Sequence, residues 1–193
     1  GDTVFVGLGE REVAPGDLFT LFRTSQKVHD PSSHDVIGYH TEVLGWVEIT
    51  RVHGETARAR VLRAVSDFVP GKVYVRPYQE PVYQIAIQDS PPGVEGQIAD
   101  LLVHAKYRGG GDVVVLNRGT EHGLERGSRL EVYRAVEDQW KETWYGRRPR
   151  VEIPHEVVAD LVVLSVQEKT AMAYVRTSST ELGHGDRYRT RGG

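Results

Sequence analysis

The sequence predicts an all-β protein of two tandem small barrel or sandwich modules, and three observations carry that reading. A run at the start, Gly1-Asp2-Thr3-Val4-Phe5-Val6-Gly7-Leu8-Gly9, returns as Gly111-Asp112-Val113-Val114-Val115-Leu116-Asn117-Arg118-Gly119. A second block, Glu42 to Gly71, returns without a gap as Glu156 to Gly185. Short apolar runs bounded by Gly, Pro and Asp fill both copies, and no long segment shows the helical period.

The pairing of positions extends along both blocks. One extra residue enters the second copy after Gly119, so that Gly16 meets Gly127, Phe19 meets Leu130, Leu21 meets Val132 and Arg23 meets Arg134. In the second block Val43 meets Val157, Val52 meets Val166, Ala59 meets Ala173 and Val61 meets Val175.

Each element follows from local pattern. Thr3 to Val6 reads as a strand and turns at Gly7 and Gly9. Leu18 to Arg23 reads as the next strand, entered through Pro15-Gly16-Asp17. Thr24 to Gly38 is polar, carries Asp30-Pro31-Ser32-Ser33-His34, and is expected to be a loop. Val47 to Val52 and Thr56 to Val61 form a hairpin about His53-Gly54-Glu55. In its second arm Ala57, Ala59 and Val61 share one face and Arg58 and Arg60 the other, the period of a half-buried strand. Val73 to Arg76 closes the first module after the Pro70-Gly71 turn. Domain bounds follow: a module over 1–79, a Pro/Gly-rich linker over 80–93, and a second module over 94–193 with an insertion at 135–154.

Val82 to Ile87 is read as a short strand within the connection. Gln97 to Tyr107 fits a helix through Ile98, Leu101 and Leu102, and a strand through Ala99, Leu101 and Val103. The strand is favoured because Gly109-Gly110-Gly111 turns it into Val113 to Leu116. The first copy shows no counterpart of this segment, so its module is expected to be cut short or to borrow a strand. The second copy continues with Arg129 to Arg134, a hairpin of Val157 to Val166 and Thr170 to Arg176, and a last strand at Asp186 to Arg191.

Composition narrows the function. The 193 residues carry a formal charge of −3, which gives no pull toward nucleic acid. No apolar run reaches the length of a bilayer span. The chain has no cysteine, which removes disulfides, thiolate nucleophiles and Cys-based zinc sites. Gly7-Leu8-Gly9 lacks the lysine, third glycine and following helix of a phosphate loop, and is read instead as a turn needing positive φ. His29, His34 and His40 match no metal-ligand spacing and read as exposed loop residues. Asp2, Asp112 and Asp17 sit beside glycines, where carboxylates cap turns. No catalytic constellation, cofactor or metal is implied, and a non-enzymatic part is expected.

Contact residues are expected in two places. The insertion gathers Trp140, Trp144, Tyr145, Arg147, Arg148 and Arg150, which read either as a contact patch or as aromatics folded back on their own module. On the second hairpin Met172 and Tyr174 replace Arg58 and Arg60, so its outer face has lost charge and is expected to be covered.

The run from Gly111 to Gly119, then Gly123-Leu124-Glu125-Arg126-Gly127-Ser128-Arg129-Leu130-Glu131-Val132-Tyr133-Arg134, then Val157 to Val166, Thr170 to Val175 and Glu181 to Arg187 carry a resemblance. They resemble the C-terminal β-barrel region of bacterial envelope proteins with an N-terminal LysM domain. That group includes proteins associated with type IVa pilus secretins and the C-terminal domain of the flagellar T-ring protein. The resemblance implies a periplasmic, outer-membrane-associated part with a protein partner, an outer-membrane secretin, and an anchor on the cell wall. No LysM sequence stands in these residues, so peptidoglycan binding attaches to none of them. The alternative is a glycan-binding module that stacks sugars on Trp140, Trp144 and Tyr145.

Overall fold

A computed structural model describes residues 2–66, 72–80, 84–90, 92–102, 111–135 and 155–191. These are all-β, with strands β1 (Thr3–Val6), β2 (Leu18–His29), β3 (Val36–His53), β4 (Thr56–Ala64), β5 (Tyr74–Pro77), β6 (Glu95–Leu101), β7 (Val113–Leu116), β8 (Arg129–Ala135), β9 (His155–Val166), β10 (Ala171–Ser178) and β11 (Arg187–Thr190). A single 3₁₀ turn, Thr120–His122, is the one helical element among the described residues. The chain divides into two units, residues 1–27 with 39–83, and residues 28–38 with 84–193.

The first unit is a five-stranded sheet in the order β1-β4-β3-β2-β5. Its core holds Val6, Phe19, Leu21, Leu44, Val47, Ile49, Ala57 and Ala59. The second unit is a closed barrel in the order β10-β7-β6-β11-β8-β9, filled by Ile98, Val114, Leu116, Leu130, Val132, Leu161, Val163, Ala171, Ala173, Val175 and Tyr188. Ala57 and Ala59 on β4 and Ala171 and Ala173 on β10 are buried; on β10 the narrow barrel interior has room only for small side chains where its walls converge.

Strand registers in the two units run in parallel. Val4 pairs Ala59 and Val6 pairs Ala57; Val114 pairs Ala173 and Leu116 pairs Ala171. Gly45–Ala64, Val47–Val61 and Ile49–Ala59 in the first unit meet Ala159–Ser178, Leu161–Val175 and Val163–Ala173 in the second. The first hairpin steps past Thr50 and Leu62, and the second past Leu164 and Arg176, so the bulges fall at matching places. Leu21 pairs Val75 as Val132 pairs Tyr188. Turn chemistry agrees as well: the Ala14 amide donates to the Asp17 carboxylate (2.8 Å) and the Glu125 amide to the Ser128 hydroxyl (3.2 Å).

Three expectations are corrected. Thr24 to Gly38 is not a loop: β2 runs on to His29, β3 starts at Val36, and only the tip between them turns. Both faces of Thr24–Lys27 meet solvent, so the ribbon carries no apolar alternation to betray it. Gly9 and Gly119 do not sit at positive φ; Gly119 lies at −138°. They are glycines because a Cβ would stand 2.7 Å from the Gly54 carbonyl oxygen at Gly9, and 2.1 Å from that of Gln167 at Gly119. Positive φ falls instead at Gly16 (98°), Gly54 (57°) and Gly127 (87°). Finally, residues 84–87 form no strand; the neighbouring Gln88 makes an isolated parallel bridge to Ser128.

Candidate functional site

The outer wall of the barrel presents the predicted residues on β10. Inward-facing Ala171, Ala173 and Val175 alternate with outward Met172 and Tyr174, 38% and 40% exposed. Met172 lies between Ser165 of β9 and Val115 of β7, and Tyr174 between Val162 and Val113. The matching pair in the first unit is charged: Arg60 lies opposite Glu48 and donates to its carboxylate at 2.5 Å. Where that sheet carries an ion pair, the barrel places an exposed Tyr174 across from a buried Val162. Trp140, Trp144, Tyr145, Arg147, Arg148 and Arg150 lie outside the described residues, as does the rest of the expected insertion beyond Ala135.

Part of this wall is covered by the chain itself. The ribbon tip, residues 28–38, belongs to the second unit, where Val28 and Ile37 pack on outward-facing Ala99 of β6 and Val115 of β7. The cover reaches Val115 and leaves its cross-strand neighbour Met172 open. A shallow depression beside it is lined by Ile37, Gln167, Glu168 and Lys169.

A buried polar cluster pins the tip, and it was not among the predicted sites. Oδ1 of Asp30 accepts from the amides of Ser32 (2.8 Å) and Ser33 (3.1 Å), which closes the turn. Oδ2 of Asp30 accepts from Nδ2 of Asn117 (2.9 Å), and Nη1 of Arg118 stands 3.5 Å away. Oδ1 of Asn117 accepts from the Gln97 amide at 2.6 Å, and the Ser32 hydroxyl reaches the Gln97 side chain. Asn117 is 2% exposed, so its amide is wholly committed to these partners. The signal was present in the sequence: Asn117 takes the position of Gly7, where the first unit leaves open space.

The electrostatics suit holding rather than proton transfer. Burial works to raise the Asp30 carboxyl, but the Ser32 and Ser33 amides, the Asn117 amide and the Arg118 charge together hold it below the usual carboxylate value. Tyr188 ends inside the barrel, and burial pushes its phenol well above the ordinary tyrosine value. At neutral pH the Asp30 carboxyl is thus charged and the Tyr188 phenol neutral. His29, His34 and His40 hold no metal-like grouping with other ligands among the described residues; Nδ1 of His29 lies 2.9 Å from the His34 carbonyl oxygen.

The described helical segment is too short to cross a membrane, which leaves strand-built spans unaddressed. Comparison with protein-family models and with curated proteins returns no match.

Proposed function

We propose that this chain is a non-enzymatic interaction part of a bacterial cell-envelope machine. It consists of two copies of one β module, acts in the periplasm, and helps associate an outer-membrane secretin of a type IV pilus with the cell wall. The glycine-turn-strand motifs from Gly111 to Arg187 support the envelope assignment by resemblance. Matching registers and bulges in the two units support the duplication.

The observation that carries the contact role is the exchange of Glu48–Arg60 for Val162–Tyr174 on the outer wall. Val162 is already buried, and the exposed side chains on this face are Met172 and Tyr174, of the kind that protein partners desolvate. The candidate contact residues are Met172 and Tyr174 and, outside the described residues, Trp140, Trp144, Tyr145, Arg147, Arg148 and Arg150. The test writes the first unit's residues into the second. The double variant Met172→Arg/Tyr174→Arg is expected to weaken binding to a purified secretin periplasmic region at least about tenfold, while the barrel's amide-exchange pattern stays unchanged. Wild-type affinity in that variant would refute the assignment of this face.

A further inference from the structure

Among the described residues the two units differ by one strand. Read from β7, the barrel runs β7-β10-β9-β8-β11-β6 and closes on β7; the first unit runs β1-β4-β3-β2-β5 and stops. By register β1 matches β7, β4 matches β10, β3 matches β9, β2 matches β8 and β5 matches β11. Among the described residues, the strand without a counterpart is β6, which pairs antiparallel with both β7 and β11. The strands matching those two neighbours, β1 and β5, are the edges of the first sheet.

We propose that the first unit is completed as a six-stranded barrel by a strand of the same polypeptide upstream of β1, antiparallel to β1 and β5. This rests on the duplication and not on the envelope assignment. The second unit shows what covers the equivalent gap. There β6 is the strand immediately before β7, joined to it through residues 102–112. Its Ile98 is fully buried in the core and its Gly96 lies against Tyr188. In the first unit Val4, Val6 and Val75 face the core beside the open edges. An edge strand leaves a row of backbone donors and acceptors unpaired, which invites strand addition. The added strand is extended, about seven residues long by the example of β6, and apolar where Ile98 stands. At the place of Gly96 it takes a larger side chain, because Val75 occupies the position of Tyr188 and leaves room that the phenol ring fills in the barrel.

The gap-facing amides can be named. Asn117 donates to the Gln97 carbonyl at 3.1 Å and Thr190 to that of Val94 at 2.9 Å. Alternation along the matched strands then turns the amides of Phe5, Gly7 and Val75 toward the gap.

The test joins a second copy of residues 95–112 directly ahead of Thr3, in the register by which β6 meets β7. Hydrogen exchange at Phe5, Gly7 and Val75 is expected to slow at least about tenfold relative to the 193-residue chain, with rates in β7 to β11 unchanged. A control in which the added copy carries Asp at the place of Ile98 is expected to give no slowing. Unchanged exchange with both the added copy and a plain alternating Thr-Val strand overturns the proposal. Protection by the Thr-Val strand alone keeps the completion and removes the duplication. Concentration-dependent protection in the unmodified chain assigns the gap to a second copy and overturns the upstream source.

Discussion

Removing the Asp30 carboxylate tests whether the ribbon tip is held by polar locking or by apolar contact. In Asp30→Ala the amides of Ser32 and Ser33 return to water, since the turn lies at the surface. Nδ2 of Asn117 is the costly loss, because Asn117 is 2% exposed and keeps only the Gln97 contact through its oxygen. One buried donor left unmade costs about 1–3 kcal/mol, and losing the turn-closing bonds adds roughly 1. The tip is therefore expected to loosen by about 2–4 kcal/mol against its seat on Ala99 and Val115. The two units need not unfold together, so a single midpoint is the wrong readout. Amide exchange at Val28 and Ile37 reports the tip directly. The pH dependence has a definite sign. The folded carboxyl is held below its unfolded value, so its contribution is complete above about pH 4. It is lost as pH falls through the folded value. The wild-type tip should loosen in acid, whereas the Asp30→Ala tip should not respond to Asp30's titration. Wild-type exchange at Val28 and Ile37 in Asp30→Ala, together with an unchanged acid profile, would refute polar locking.

Gly119→Ala puts a Cβ 2.1 Å from the Gln167 carbonyl oxygen and 2.5 Å from that of Glu168; Gly9→Ala puts one 2.7 Å from that of Gly54. Both should destabilise by more than about 2 kcal/mol, Gly119→Ala the more, as read by local exchange in each unit, because backbone rather than a flexible side chain must give way. His34 holds φ 63° without being glycine, so His34→Gly should stabilise the tip by about 1 kcal/mol, read as slower exchange at Ile37. Faster exchange there would show that the His34 side chain contributes more than its backbone strain costs.

Strands with one buried face were legible because their side chains alternate. Ala57/Ala59 against Arg58/Arg60 gave β4, and its match gave β10 without any knowledge of pairing. The ribbon formed by the outer parts of β2 and β3 was illegible for the same reason turned round. Only Val28 and Ile37 meet apolar neighbours there, and those neighbours lie far along the chain on β6 and β7. A barrel was expected, but which strands close it was hidden, since the pairing of Gln97 with Arg187 depends on no local pattern. The roles of Gly9 and Gly119 were assigned to the wrong cause. Glycine reports a need for φ freedom and a need for space with the same letter, and only the opposing hairpin turn distinguishes them. At the candidate surface Met172 and Tyr174 were readable as a loss of charge relative to the first copy. The Asn117 cluster was readable only as a glycine replaced.

On the proposed duplication, the replacements separate into two kinds. Positions that fix backbone geometry stay the same or keep their chemistry: Gly9 and Gly119 at a close approach, Gly16 and Gly127 at positive φ, Asp17 and Ser128 at a turn. Positions whose neighbours differ between the two units change. Gly7 becomes Asn117, which grips Asp30 of the ribbon; Val75 becomes Tyr188, which fills the space beside Gly96 on the closing strand; Glu48 and Arg60 become Val162 and Tyr174. Two of those three changes have identified partners in the structure, the ribbon tip and β6. The third change has the same character, an outer position altered in one unit alone, and its Tyr174 remains 40% exposed. The partner proposed above for the β10 face would be the counterpart there of the ribbon tip and β6.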